Sequence, residues 1–163
     1  MIKKMMHISV PVAAADQLLK AYIRCQAQGK TLFEIPGIAA ITPSFNTGAA
    51  FSLLSGQTAF LAVFSSVLLF VLCLYLSRAL HLSRAAQTSL CFLIGGGAGN
   101  LFDRIVYGGV TDYIHLLLMG FPIFNLADIA VTGSVAALLI LLFTGKLEKT
   151  TGEEHGSDHR IDG

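Results

Sequence analysis

The chain has 163 residues, 54% of them hydrophobic and only 13% charged, with a formal net charge of +1. Soluble globular domains carry roughly 25% charged residues, so this composition excludes a disordered chain, a basic nucleic-acid binder and an ordinary soluble enzyme. Three scattered cysteines, Cys25, Cys73 and Cys91, rule out a disulfide framework, and no CxxC or Cys/His cluster suggests a metal site. What remains is an integral membrane protein, mainly α.

Taken in chain order, the first apolar stretch is the weakest. Met5 to Ala15 is uncharged but short and contains His7 and Pro11; it reaches spanning length only by taking in Asp16, Gln17 and Lys20, out to about Tyr22. A cleaved secretory signal ending at Ala13–Ala15 is the alternative reading. Gln57 to Ser77 is uncharged and long enough for the roughly 30 Å hydrocarbon core. Ala85 to Phe102 lies uncharged between Arg84 and Asp103, and Ile129 to Gly145 ends at Lys146. Spans are therefore expected at about 3–22, 57–77, 85–105 and 128–146, four helices in one membrane-embedded domain over 1–149.

Lys3, Lys4, Arg78, Arg84, Lys146 and Lys149 fall on one side if four spans alternate, which orients both termini toward the cytoplasm. The polar tail over 150–163 reads as disordered and cytoplasmic. Segments 24–56 and 106–127 then lie outside. In the first, Thr31–Ile35 and Ile38–Phe51 are β-branched and aromatic runs broken at Pro36-Gly37 and Asn46-Thr47-Gly48, expected to form a small antiparallel sheet resting on the membrane surface. Val110–His115 and Pro122–Asn125 add strands or a short interfacial helix.

Of ten carboxylates, five lie from Glu148 onward and Glu34 sits in the external sheet. The other four, Asp16, Asp103, Asp112 and Asp128, gather at the outer ends of predicted spans, where an ionisable group is costly and marks a functional site. The chain between Asp112 and Asp128 must return to the same membrane face, so these two can meet. Charges about 4 Å apart repel by about 4 kcal/mol at an effective dielectric near 20, so such a pair keeps one proton. One carboxylate then takes a proton from an attacking water while the other supports the oxyanion and protonates the leaving amine. That chemistry needs no metal, no cofactor and no covalent intermediate. On spacing alone the more ordinary reading of the two residues is as interfacial helix caps.

Five blocks raise a resemblance. Asp16-Gln17-Leu18-Leu19-Lys20 is similar to a DQxxK block, Asn46–Ser52 to NxGAAF, and Gly96–Arg104 to GxxGNxxDR. Gly109–Tyr113 resembles GxVxDF, and Phe124–Asp128 FNxAD. In this order, with four spans between them, they resemble the lipoprotein (type II) signal peptidases of bacteria. Two departures are Leu19, where a small hydroxyl residue is usual, and Tyr113 in place of Phe.

The resemblance implies an aspartic endopeptidase of the bacterial cytoplasmic membrane with its active site facing outside. It would act as a monomer and cleave a prolipoprotein before its diacylglyceryl cysteine; membrane lipids would surround it and no nucleic acid would be involved. The catalytic residues carried over are Asp112 and Asp128. Asn46, Gly48, Asn100, Arg104 and Asn125 line or support the site, and Asp16 and Lys20 support it from the first span. Physically, Asn46 and Asn125 either bond a substrate carbonyl or satisfy turn backbone. Asn100 with Arg104, and Asp16 with Lys20, are i,i+4 pairs, the second expected to be an ion pair steadying the first span. Gly95-Gly96-Gly97 with Gly99 permits close helix packing.

Overall fold

A computed structural model describes residues 2–49, 53–79 and 81–148; the expected tail, Lys149 and the Ala50-Phe51-Ser52 part of the second block lie outside the described residues. Helix α1 runs Ile2–Ala27 with Pro11 inside it, and ends where Gln28 and Gly29 turn to φ of 44° and 81°. Strands β1, Phe33–Ile35, and β2, Ala39–Asn46, follow, then α2, Thr58–Arg78. Helix α3, Arg84–Tyr107, starts at Ser83, whose hydroxyl accepts from the Ala86 N–H, and stops at left-handed Gly108. Strand β3, Val110–Leu116, runs into a 3-10 turn, Leu117–Met119, before α4, Leu126–Phe143.

The three strands form one antiparallel sheet in the order β1-β2-β3. Pro43, which has no N–H to give a ladder, falls where the β2–β3 register slips between Ile41 and Ser44. Beyond that irregularity Ser44 pairs with Asp112 and Asn46 with Val110, so alternation puts Asn46 and Asp112 on the same face. The second outside segment supplies a strand, and its return at Phe124 bridges Ile114.

Helix α3 is the centre, with α1, α2 and α4 each packed on it. Glycine permits the closest approaches: a Cβ at Gly96 would meet the Ala127 carbonyl at 2.6 Å, and one at Gly99 would meet Asp16 Oδ2 at 2.5 Å. At one end of the bundle Leu76, Leu82, Ala86 and Leu90 form a buried cluster joined by Met5, Ile8 and Leu147. The sheet closes the other end, where Ile23 and Ala27 pack on Tyr113. The start of α1 and the chain just beyond α4 thus share the end remote from the sheet.

Among the described residues two helices, α2 and α4, are by length and composition apolar enough to cross a membrane, with mean hydropathy 2.6 and 2.3. Helices α1 and α3 carry Asp16, Lys20, Arg24, Asp103 and Arg104. Three of those charges are turned inward: Asp16, Lys20 and Asp103 are each 0% exposed, while Phe64, Phe70, Ile140 and Phe143 face outward. The molecule is mainly helical, with polar groups inside and apolar ones outside.

Candidate active site

The site lies where the N-terminus of α4 meets β3 and the sheet-proximal turns of α1 and α3. The first N–H groups of a helix have no partner within it, and in α4 three elements supply partners. Tyr113 Oη of β3 accepts from Leu126 N–H at 3.2 Å, Asp16 Oδ1 of α1 from Ala127 N–H at 3.0 Å, and Asn125 Oδ1 from Asp128 N–H at 2.9 Å. Asp128 Oδ2 in turn accepts from the Asn125 N–H at 3.1 Å, completing a capping box. This end of α4 is therefore fixed in position, and Asp128 with it.

Asn125 ties the two proposed catalytic residues together. While its oxygen and backbone hold Asp128, its Nδ2 donates to Asp112 Oδ1 at 2.6 Å. Asp112 Oδ2 accepts from Asn46 Nδ2 at 3.1 Å, across the face that the β2–β3 register sets. Asp128 Oδ1 accepts from Asn100 Nδ2 of α3 at 2.7 Å. Both carboxylates line one cavity of about 940 Å³, together with Asn46, Asn100, Arg104 and an apolar arc that includes Phe45, Ile123, Ile129 and Val131. A cavity of that size is in the range that accommodates a ligand or peptide segment.

Burial pushes the Asp112 carboxyl up from 3.8 to about 6, and the Asp128 charge adds to the effect; bonds from Asn46 and Asn125 and the charge of Lys20 oppose it. The pair thus favours holding a proton where a solvated aspartate would have lost it. Burial also pushes the Tyr113 phenol up to about 12, so it stays neutral and holds Leu126.

Arg104, one turn beyond Asn100 on α3, donates to the Asn100 carbonyl at 3.3 Å and the Gly48 carbonyl at 3.1 Å. It links α3 to the loop after β2 over the cavity. Of the two readings open to Asn46 in sequence, the structure shows the turn bond, its oxygen accepting the Gly48 N–H at 2.9 Å, while its nitrogen donates to Asp112, a contact the sequence did not announce.

Beneath the cavity floor Lys20 sits 2.8 Å from Asp16 Oδ2 and 3.4 Å from Asp103 Oδ2 and donates to Asn100 Oδ1 at 2.8 Å. The Asp16–Lys20 pair is thus part of a larger buried network rather than a peripheral clasp. Sequence reasoning did not assign roles to three of its other members. Asp103 also accepts from Gln17 Nε2 and from the Thr111 N–H and forms an ion pair with Arg24 at 3.6 Å, and Arg24 lies over the Tyr107 ring at 4.4 Å. The available signals were Gln17 beside Asp16 in the first block and Asp103 three residues from Asn100, on the same helical face. Among the described residues no group of three or more His, Cys, Asp or Glu is arranged to hold a metal ion. Cys25, Cys73 and Cys91 form no disulfide with one another.

Comparison with known proteins matches residues 8–144 to the model of the family described as signal peptidase (SPase) II. A lipoprotein signal peptidase of Gloeobacter violaceus is 40% identical over 128 residues, 78% of this chain and 74% of its own. One from Streptococcus pyogenes serotype M2 is 40% identical over 133 residues, 81% of this chain and 88% of its own. A bacterial membrane enzyme solved in meso at 2.3 Å superposes over 100% of this chain and 96% of its own, with a TM-score of 0.79 and 28% identity. With the fold, the apolar exterior and the family model in agreement, the chain is a protease and belongs to the signal peptidase II family.

Proposed function

We propose that this protein is a membrane aspartic endopeptidase that removes the signal peptide from diacylglyceryl-modified prolipoproteins, cutting before the lipidated cysteine, with Asp112 and Asp128 as its catalytic pair. The observation that carries the reading is the single Asn125 side chain bonded to both residues, at the wall of one cavity. Two carboxylates that face the same space, one with its proton affinity raised by burial, are the equipment for activating water without a metal. The ionised member takes a proton from water as it attacks the amide carbonyl. The protonated member bonds the developing oxyanion and later gives its proton to the departing amine. Because the two are coupled, the titration belongs to the pair.

Asn46, Gly48, Asn100, Arg104 and Asn125 hold the pair and the incoming peptide, with Asp16 and Lys20 behind them. The substrate's cysteine is anchored in the bilayer by its lipid, so the scissile bond is presented at the outer helix ends. A site between those ends and a sheet matches that depth. The apolar arc of the cavity suits the lipid-bearing end of such a substrate. Four helices of alternating direction, with charges buried in α1 and α3, support four spans in the bacterial inner membrane. On that reading residues 1–149 are one domain, a monomer, with both chain ends in the cytoplasm and the sheet outside.

Asp112→Asn and Asp128→Asn test it with lipidated and unlipidated precursors. Each variant is expected to accumulate in the membrane and to leave the lipidated precursor uncut, and the wild type to spare the unlipidated one. Cleavage retained by either variant refutes the assignment of the pair.

A further inference from the structure

Lys20 does not line the cavity, yet a single side chain separates its ammonium from the proposed catalytic pair. Asn100 Oδ1 takes a bond from Lys20 Nζ at 2.8 Å, and Asn100 Nδ2 gives one to Asp128 Oδ1 at 2.7 Å. An ammonium donates and never accepts, so the Asn100 amide can meet it only oxygen first, which turns its nitrogen toward Asp128. The same oxygen accepts from Asn125 Nδ2 at 3.2 Å, and that nitrogen also donates to Asp112 Oδ1. With its nitrogen so placed, Asn125 presents its own oxygen to the Asp128 N–H. One buried cation thereby sets the sense of two amides.

We propose that Lys20 is a positioning residue for peptide cleavage: held by Asp16 and Asp103, it fixes the Asn100 and Asn125 amides so that each presents an N–H to one carboxylate of the Asp112–Asp128 pair. The inference rests on that pair being the catalytic one. An ion pair serving packing alone would not need Lys20. Asp16 also accepts the Ala127 N–H, and Asp103 is also served by Gln17, Arg24 and the Thr111 N–H. Buried ion pairs replaced together by apolar groups of similar volume often leave stability unchanged or improved. What an apolar group cannot do is orient an amide. Without the cation the Asn100 oxygen loses its charged donor and keeps only the longer bond from Asn125 Nδ2, itself shared with Asp112, and a flipped amide aims its oxygen at an ionised carboxylate.

The charged groups around the pair are Lys20 and Asp16 of α1, Asp103 and Arg104 of α3, Arg24 at the end of α1, and the two carboxylates themselves. The Lys20 charge opposes protonation of Asp112, so its removal displaces the alkaline limb of the rate profile to higher pH. A role confined to packing would leave that limb in place.

The test is the charge-neutral double substitution Asp16→Asn with Lys20→Met, which leaves Asp103 opposite Arg24. Purified in lipid or detergent, it is assayed on a lipidated prolipoprotein across pH. The expected result is a kcat lowered by roughly 100-fold, as for other small misplacements of reacting groups, with KM little changed and the alkaline limb moved upward. Wild-type kcat with an unmoved limb overturns the proposal. Should the double variant fail to accumulate, Asn100→Asp decides: it is isosteric and keeps its contact with Lys20, but has no N–H for Asp128. A comparable loss of kcat supports the orienting role, and wild-type kcat overturns it. Asp112→Asn and Asp128→Asn in the same assay separate the two levels. If either still cuts, the pair itself is wrong and this proposal falls with it; if both are inactive while the Lys20 and Asn100 variants are normal, only the positioning role is refuted.

Discussion

Replacing Asp112 by Asn should make the protein inactive and, at alkaline pH, more stable. The folded carboxyl titrates at about 6 against 3.8 for a solvated one. Below about pH 3 both states keep the proton and the group adds nothing. As pH rises through the window between those values the unfolded chain ionises first, so stability falls. Above it the folded state carries the whole penalty, about 3 kcal/mol for a gap of about two units. Asparagine is neutral throughout and escapes this cost. It has one acceptor oxygen where Asp112 has two, so either Asn46 or Asn125 loses its partner, a pH-independent loss of about 1–2 kcal/mol. The variant should therefore be less stable than wild type near pH 4 and more stable near pH 8, a swing of about 2 kcal/mol after allowing for partial ionisation at the acid end. Thermal unfolding in detergent reads this as roughly 5 °C of relative displacement between the two pH values. A variant offset from wild type by the same amount at both would show that Asp112 is not held at a raised proton affinity, and would remove the basis for a shared proton.

The wild-type kcat/KM on a lipidated precursor should fall above about pH 6 as the pair loses its last proton; a profile flat to pH 9 contradicts the dyad. Gly99→Ala drives a Cβ to 2.5 Å from Asp16 Oδ2, which Lys20 and the Ala127 N–H hold in place, and should cost about 1–3 kcal/mol on thermal unfolding. Gly133→Ala, with nothing within 4 Å of the new carbon, should not destabilise. Tyr113→Phe deletes the acceptor for the Leu126 N–H and should lower stability by about 1 kcal/mol, visible in the same melts.

How much of this was legible beforehand differs by element. Uncharged runs announced α2 and α4, because a lipid-facing helix must be apolar along its length, whereas the ends of α3, at the Ser83 cap and left-handed Gly108, came only from the structure. Helix α1 was blurred by Asp16, Gln17 and Lys20, residues that a hydropathy reading scores as breaks. Their partners, Gly99, Asn100 and Asp103, are some 80 positions away, and no local pattern reveals that the charges cancel. Asp112 and Asp128 could be singled out from topology, since the intervening segment must come back to one face. Asn125 as the bridge between them could not. An Asn three residues before an acid signals a capping box, but only the strand register that brings β3 alongside shows where its other nitrogen goes. Tyr113 read only as a departure from Phe, whereas its hydroxyl accepts the first N–H of α4.

These cases share one physical cause. In a bundle whose exterior is apolar, α1 and α3 can carry charges only if the charges meet inside, and they meet where glycine lets backbones close to within a side chain's reach. Gly99 places α3 against Asp16, so Asp16 can serve Lys20 and the N-terminus of α4 at once. The polar groups that would penalise exposure to lipid thereby become the scaffold of the site. The α4 terminus is held by groups from α1 and β3, Asn100 by Lys20, and Asp112 by Asn46 and Asn125. A substitution anywhere along this chain of contacts should thus affect Asp128 placement more than its distance from the cavity suggests, whereas substitutions on the outward faces of α2, such as at Phe64 or Phe70, should leave the pair untouched as long as the helix stays apolar.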